Sequence, residues 1–309
     1  MKPFSRIGLF RLLACLGLVC VSSMAHAIEI TATQDTNTLI NALLGGGGTG
    51  MTVTNVTLNG HQELGFGQDT ATSSGTYTNA SGTYGIGPGV VLSTGSVTAL
   101  TNLGIPGYGD GPNTVEDNSY AYGALSQLSG VPATAAQEAL LDPITGHPND
   151  NPPVNYDHFD VTELIIKFDM QPGFDKIAFN VVFGSEEYPE FVASQFVDGF
   201  GLFVNGVNIA QVNGNPVNIQ HPDVAAIPGT ELDGILAPGG NPRLTFSRAV
   251  TPGSTDNELR FIVADTSDAI YDTTVYFSTL RAVPLPGAAW LFGAAISVLG
   301  LRRRQRCNP

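Results

Sequence analysis

The sequence predicts a mainly β protein: an antiparallel β-sandwich of jelly-roll-like form, with one short N-terminal helix and a C-terminal transmembrane helix. Three observations predict it. Apolar residues fall in short runs that alternate with polar ones at a period of two, the mark of half-buried strands. Turn residues, drawn from 37 glycines and 20 prolines among 309 residues, separate those runs at frequent intervals. An uncharged apolar stretch, residues 285–301, stands just before Arg302-Arg303-Arg304. Many strands with few helices build a sandwich or barrel rather than an alternating α/β fold.

Taken in order, the first element is a helix over Asn37–Leu44. Asp35 or Thr36 caps it, Leu39, Ile40, Leu43 and Leu44 form its apolar side, and Gly45 stops it. The run Gly45–Gly48 is not a phosphate loop, because no Lys-Ser/Thr follows it and no strand precedes it. Strands follow at Thr52–Leu58, weakly near Gly75–Tyr84, and at Gly89–Ser93. Residues 101–158 read as loops, with a short helix at Ala133–Leu141. The second half reads as strands at Val161–Met170, Lys176–Ser185, Gly201–Val212, Pro216–Ile219, Arg243–Ala249, Glu258–Ala264 and Thr273–Leu280. No internal repeat divides the body, which is expected to be one domain over residues 28–281.

The N-terminus carries a leader. Lys2, Arg6 and Arg11 precede the apolar Leu12–Val21, and Ala25-His26-Ala27 forms a small-x-small cleavage site. Residues 1–27 are therefore expected to be a signal peptide, with Ala25 and Ala27 forming the cleavage site and Ile28 first in the mature chain. The apolar run 285–301 has 17 residues, against the roughly 17–25 that a membrane span needs. By the positive-inside rule the arginines after it stay cytoplasmic and the body lies on the other side.

All three cysteines, Cys15, Cys20 and Cys307, lie in the two end segments. So do seven of the 13 basic residues, whereas all 27 acidic residues lie in the body, giving it a net charge of −21 against −14 for the whole chain. Nucleic acid is excluded as a partner, since that binding rests on Lys and Arg at phosphates.

The end segment, with Val283-Pro284-Leu285-Pro286, a short apolar run and then Arg302, Arg303 and Arg304, closely resembles the PEP-CTERM sorting signal over 283–306. The resemblance implies export by a Gram-negative cell that makes extracellular polysaccharide. It also implies recognition by an exosortase, a membrane transpeptidase that cuts near the proline motif. The namesake Pro-Glu-Pro is here Pro-Leu-Pro. Independently of the name, each proline fixes its own φ and holds its predecessor extended, a form that a protease groove binds.

Acidic residues gather in two places. In Phe183-Gly-Ser-Glu-Glu-Tyr-Pro-Glu-Phe191, strand alternation would put Glu186 and Tyr188 on one face and Glu187 on the other, with Pro189 ending the strand. Glu186, Glu187 and Glu190 then collect at a strand end, with Asp198 across the connecting loop. In Ala264–Asp272 a strand ends and Asp265, Asp268 and Asp272 follow in a loop. These stretches, with Gly201-Leu-Phe-Val-Asn-Gly206, the opening helix, Val53-Thr-Asn-Val56 and Gly89–Gly95, resemble the choice-of-anchor L domain. Val197 departs from the pattern, where Asn is expected. The resemblance implies a surface domain joined to an anchoring tail. It implies no particular reaction.

Ca2+ takes six to eight oxygen ligands, mostly carboxylates and carbonyls. Glu186, Glu187, Glu190, Asp198, Asp265, Asp268 and Asp272 form a candidate Ca2+ cluster of that chemistry, although the spacing is not that of an EF-hand. The alternative is a solvated loop whose acids cap turns. Catalytic signatures are missing: there is no Gly-x-Ser-x-Gly, no His-Glu-x-x-His, and His61, His147, His158 and His221 are scattered. The expected product is an exported surface or matrix protein with a structural or adhesive role. A Ca2+-dependent carbohydrate-binding module, with extracellular polysaccharide as partner, is the second reading. A polysaccharide hydrolase using Glu186 or Glu187 with Asp265 is the third.

Overall fold

The computed structural model describes residues 28–45, 50–60, 62–64, 70–97, 130–146, 155–227, 232–269, 271–285 and 287. The leader with Ala25 and Ala27, the loops at 107–113 and 147–153, Pro286 and the tail from 288 onward lie outside the described residues.

Two antiparallel sheets form the body. In the first, the strands run in the order β1 (Glu29–Ala32), β5 (Ser74–Thr78), β6 (Gly89–Ser93), β17 (Thr273–Pro284), β8 (Phe174–Ser185), β14 (Gly234–Leu236) and β13 (Val224–Ala225). A further strand, β15 (Leu244–Ala249), pairs with the remaining length of β8. In the second sheet the order is β11 (Gln211–Val212), β12 (Asn215–Asn218), β9 (Gly199–Val204), β16 (Asn257–Thr266), β7 (His158–Met170) and β2 (Met51–Asn59). The short β10 (Val207–Asn208) pairs with β9. A separate small hairpin joins β3 (Gln62–Leu64) to β4 (Thr70–Thr72).

Period-two alternation explains why the sheets stack. Along β16, Leu259, Phe261 and Val263 enter the core between the sheets, while Ile262 and Ala264 face the other way. The centre of the core is a set of rings contributed by both sheets. Phe277 of β17 lies 4.4 Å from Phe261 of β16 and 5.5 Å from Phe200 of β9, and Phe261 lies 5.9 Å from Phe179 of β8. The outer face of the first sheet is covered as well, by Tyr77, Tyr84 and Ile28 over Val91, Val182 and Tyr276.

The opening helix, α1 (Thr36–Leu44), forms as its residues dictate. Asp35 accepts hydrogen bonds from the Asn37 and Thr38 amides, Gly45 closes the helix in the left-handed region at φ 57°, and Leu39 and Leu43 are fully buried. A second helix, α2 (Ala135–Thr145), adds to the one in the expected fold class. It begins with a capping box between Thr134 and Gln137 and continues past the expected Leu141 through Pro143. Leu141 and Ile144 bury against Phe203 and Ile262 on the outer face of the second sheet. Among the described residues no helix is long and apolar enough to cross a membrane, and most of the run 285–301 lies outside them.

Most strand ends shift by a few residues, and two boundaries differ more from expectation. The stretch Gly201–Val212 is not one strand: Asn205-Gly206 turns it back at φ 50° and 76°, so that Val207 pairs with Val204. Asn213-Gly214 repeats the device between β11 and β12. At the other end β17 runs past Leu280 to Pro284. Val283 pairs with Lys176, Pro284 pairs with Phe174, and the Leu285 amide donates to the Gly173 carbonyl at 2.8 Å. The first residues of the proline motif are thus part of the sheet.

Candidate functional site

The two acidic stretches meet at one end of the sandwich, where strand ends from both sheets converge. β6 and β8 finish there and β17 begins there, in the first sheet. β16 finishes and β9 begins, in the second. Glu186 and Glu187 follow the end of β8, Asp198 precedes β9, Asp265 is the penultimate residue of β16, and Asp272 precedes β17. All five are buried, at 1–2% exposure.

This corrects the expected geometry. β8 ends at Ser185, before the glutamates, so the alternation that would split Glu186 from Glu187 does not apply and both turn inward. The Glu186 amide donates to the Asp272 carbonyl at 3.1 Å and ties the two acidic loops together. Asp268 is half-buried and Glu190 is exposed, so Glu190 lies outside the buried group. Asp160, which the sequence reading passed over, is buried beside it. Its signal is an acid at the start of a strand, two residues after His158 and just before Val161.

Hydroxyls hold part of the cluster. The Thr266 amide donates to Asp198 Oδ1 (2.9 Å) and the Thr273 hydroxyl to Asp198 Oδ2 (2.8 Å). The Thr94 hydroxyl donates to Asp272 Oδ1 (3.3 Å) and accepts from the Thr273 amide (2.9 Å). Gly95 makes room for Asp272: a Cβ there would stand 1.9 Å from Asp272 Oδ2. Asp265 is treated differently. It is fully interior, yet neither of its carboxylate oxygens has a hydrogen-bond partner.

The electrostatics follow from this packing. Burial pushes the Asp198 carboxyl up to about 8, against the pull of its bonds to Thr273 and Thr266. Burial also holds Asp265 well above the ordinary carboxylate range, and the neighbouring Asp198, Asp272 and Asp160 add to it. Thr94, committed to Asp272, only tempers that rise. Buried charges of one sign are costly unless they are protonated or meet a cation.

The two loops carry an aromatic group on their outer side. Phe191 packs edge-on to Phe196 at 5.4 Å and lies 5.3 Å from Tyr271. Tyr271 and the adjacent Val192 are exposed, and Ala193, Ser267 and Tyr271 all take positive φ.

A second constellation lies under α2. The His158 ring bridges Thr145 Oγ1 (2.6 Å) and Glu138 Oε2 (2.5 Å), with Asp142 nearby. Ligand atoms of Glu138, Asp142 and His158 all fall within 4.8 Å of one another, a spacing that no trio in the acid cluster is found to reach among the described residues. Both nitrogens of this fully buried ring are already engaged, so a metal would have to break both contacts. The hydroxyl–imidazole–carboxylate order is that of a catalytic triad, but Thr145 is fully buried and out of reach of any substrate. The arrangement clamps α2 to β7. An open cleft of about 370 Å3, lined by Leu58, Asn59, Val131, Pro132, Gln137 and Val161 among others, holds no carboxylate and no aromatic ring.

The Choice-of-anchor L domain profile matches residues 29–280, the span of the two sheets and their connections. The chain belongs to the Choice-of-anchor L family. Membership makes it a surface-associated protein. No curated protein matches the chain. Among solved structures it is similar to a carbohydrate-binding module, CBM28, described as specific for non-crystalline cellulose. The identity is 9% and the TM-score 0.26, over 41% of this chain and 66% of that one. In this Choice-of-anchor L domain, then, the acid cluster and the aromatic group occupy the same end of the sandwich.

Proposed function

We propose that this protein is exported and displayed on the cell surface or in the extracellular matrix, where it has a structural or adhesive role. The observation that carries the reading is the family match over 29–280 followed without a break by the proline motif, apolar run and arginine cluster. In this reading the leader 1–27 directs export and the apolar tail holds the chain in the inner membrane. An exosortase-type enzyme then cuts near Val283–Pro286. The burial of Glu186, Glu187 and Asp265 supports a non-catalytic role, since a glycosidase needs its two carboxylates at the sugar. The test is fractionation of cells producing the full chain and a form lacking 285–309. The full chain should pass through the membrane fraction and lose its arginine cluster, read by mass spectrometry of the surface product. The truncated form should be secreted without passing through the membrane. Full-length chain retaining both end segments in the cytoplasm would overturn the proposal.

A second reading, binding of extracellular polysaccharide, is favoured by the partly exposed Phe191, Phe196 and Tyr271, since aromatic faces offer apolar contact with one wet edge. On a glycan array, any ligand found should lose at least about tenfold in affinity on Tyr271→Ala, about 1.4 kcal/mol. Binding indifferent to Tyr271→Ala and Phe191→Ala would place the ligand elsewhere.

A further inference from the structure

We infer that the buried acid cluster is a calcium site, in which Asp198, Asp265, Asp272, Glu186 and Glu187 supply oxygens to one Ca2+ joining the two sheets. Asp265 carries the inference. A carboxylate at 1% exposure with both oxygens lacking hydrogen-bond partners is rare in a folded protein, and each such group calls for an explanation. Its strongest charged neighbours are three more carboxylates, Asp198, Asp272 and Asp160. Thr94 and Asp198 face Asp265 without satisfying either oxygen by hydrogen-bond geometry, and a cation among them would satisfy both.

The donor set selects the ion. Every side chain offered is a carboxylate, hard and anionic, with neither thiolate nor imidazole among them, which suits Ca2+ or Mg2+ and not Zn2+. Ca2+ tolerates six to eight ligands in irregular geometry at about 2.3–2.6 Å, whereas Mg2+ demands a near-ideal octahedron at about 2.0–2.1 Å. No three of these carboxylates hold oxygens within 4.8 Å of one another, so the site is not preformed and the two acidic loops must close on the ion, a movement that the irregular coordination of Ca2+ tolerates better than the octahedron of Mg2+. The wall beside Asp272 is already shaped for that carboxylate, because Gly95 has no Cβ to collide with it. Asp198 enters with its oxygens fixed by Thr266 and Thr273, each keeping a lone pair for the metal.

The position gives the ion a task. Glu186 and Asp272 belong to the first sheet, and Asp198 and Asp265 to the second. One ion therefore cross-links the two layers at this end, beneath the loops that carry Phe191, Phe196 and Tyr271. The inference does not rest on the tail or on any sugar.

The test is calorimetric melting of the purified full chain in Ca2+, in Mg2+ and in chelator, with direct titration of Ca2+ into the chelated protein. At 100 times the dissociation constant, Ca2+ should raise the melting temperature by about 5–10 °C over chelator, and Mg2+ by much less. Asp265→Asn should fold, abolish the rise and bind no Ca2+ on titration. Asp272→Asn serves as the second variant, and Glu190→Gln, on the surface, should keep the full rise. Equal melting in Ca2+ and chelator together with no heat of binding would overturn the site, leaving a cluster of carboxylic acids sharing protons. A full Ca2+ response in both Asp265→Asn and Asp272→Asn would also overturn it.

Discussion

In chelator, raising the pH from about 4 to about 8 lowers the free energy of unfolding by several kcal/mol. The sign follows from where protons sit. Asp198 in the folded protein releases its proton near 8, while the unfolded chain releases it near 3.8. Between those values the folded form binds more protons, so each pH unit costs about 1.4 kcal/mol per retained proton. The stabilisation is complete below about 3.8 and is lost as the pH rises through about 8. Asp265, raised in the same direction by burial and by its acidic neighbours, adds to the slope. General repulsion in a chain of net charge −14 acts in the same sense. At about 1 M salt, where the Debye length is about 3 Å, that surface part is screened and the buried part persists. Denaturant titrations across this pH range at high salt provide the measurement. Asp198→Asn and Asp265→Asn should each flatten the curve, and a wild-type curve already flat would refute the account.

Phe277→Ala should cost about 3–5 kcal/mol, the range for deleting a fully buried ring. Phe277 is at 1% exposure and is the ring through which β17 of one sheet meets both β9 and β16 of the other. Its removal leaves a cavity bounded by two strands that are themselves held on both sides, so neighbours have little freedom to collapse into it. The partner substitution Phe261→Ala should cost a similar amount, and the double variant less than the sum by about 0.5–1.5 kcal/mol, because the rings touch at 4.4 Å. Equilibrium unfolding of the four proteins in the cycle measures this. Strict additivity would mean that the rings contribute only buried area.

The strands that the sequence made legible are those whose pattern is local. Gly89–Ser93 is found as read, and α1 is capped by Asp35 and stopped by Gly45 as its residues require. Where reading failed, two kinds of reason apply. Asn205-Gly206 is itself a strong hairpin signal, but apolar residues continue on both sides of it and mask the turn. By contrast β13 and β14 contain two and three residues, and only their pairing with the end of β8 makes them strands. The site divides in the same way. That Glu186, Glu187, Asp198, Asp265 and Asp272 belong together was legible from acids clustering at strand ends. That they are interior was not, because burial depends on the meeting of two sheets and on Thr94 and Gly95, some 170 residues from Asp265 in sequence.

The path of β17 has one more consequence. This strand starts beside Asp272 at the acid cluster and ends at Pro284, with Leu285 pinned to Gly173 and also the first residue of the apolar run. The 12 residues of β17, at about 3.3 Å each, set the acid cluster and the proline motif roughly 35–40 Å apart, at opposite ends of one strand. The aromatic loops lie at the end far from the proline motif. The same strand holds the first residues of the proline motif in the sheet, with Val283 paired to Lys176 and Pro284 to Phe174, so an extended groove could take them only after that pairing opens.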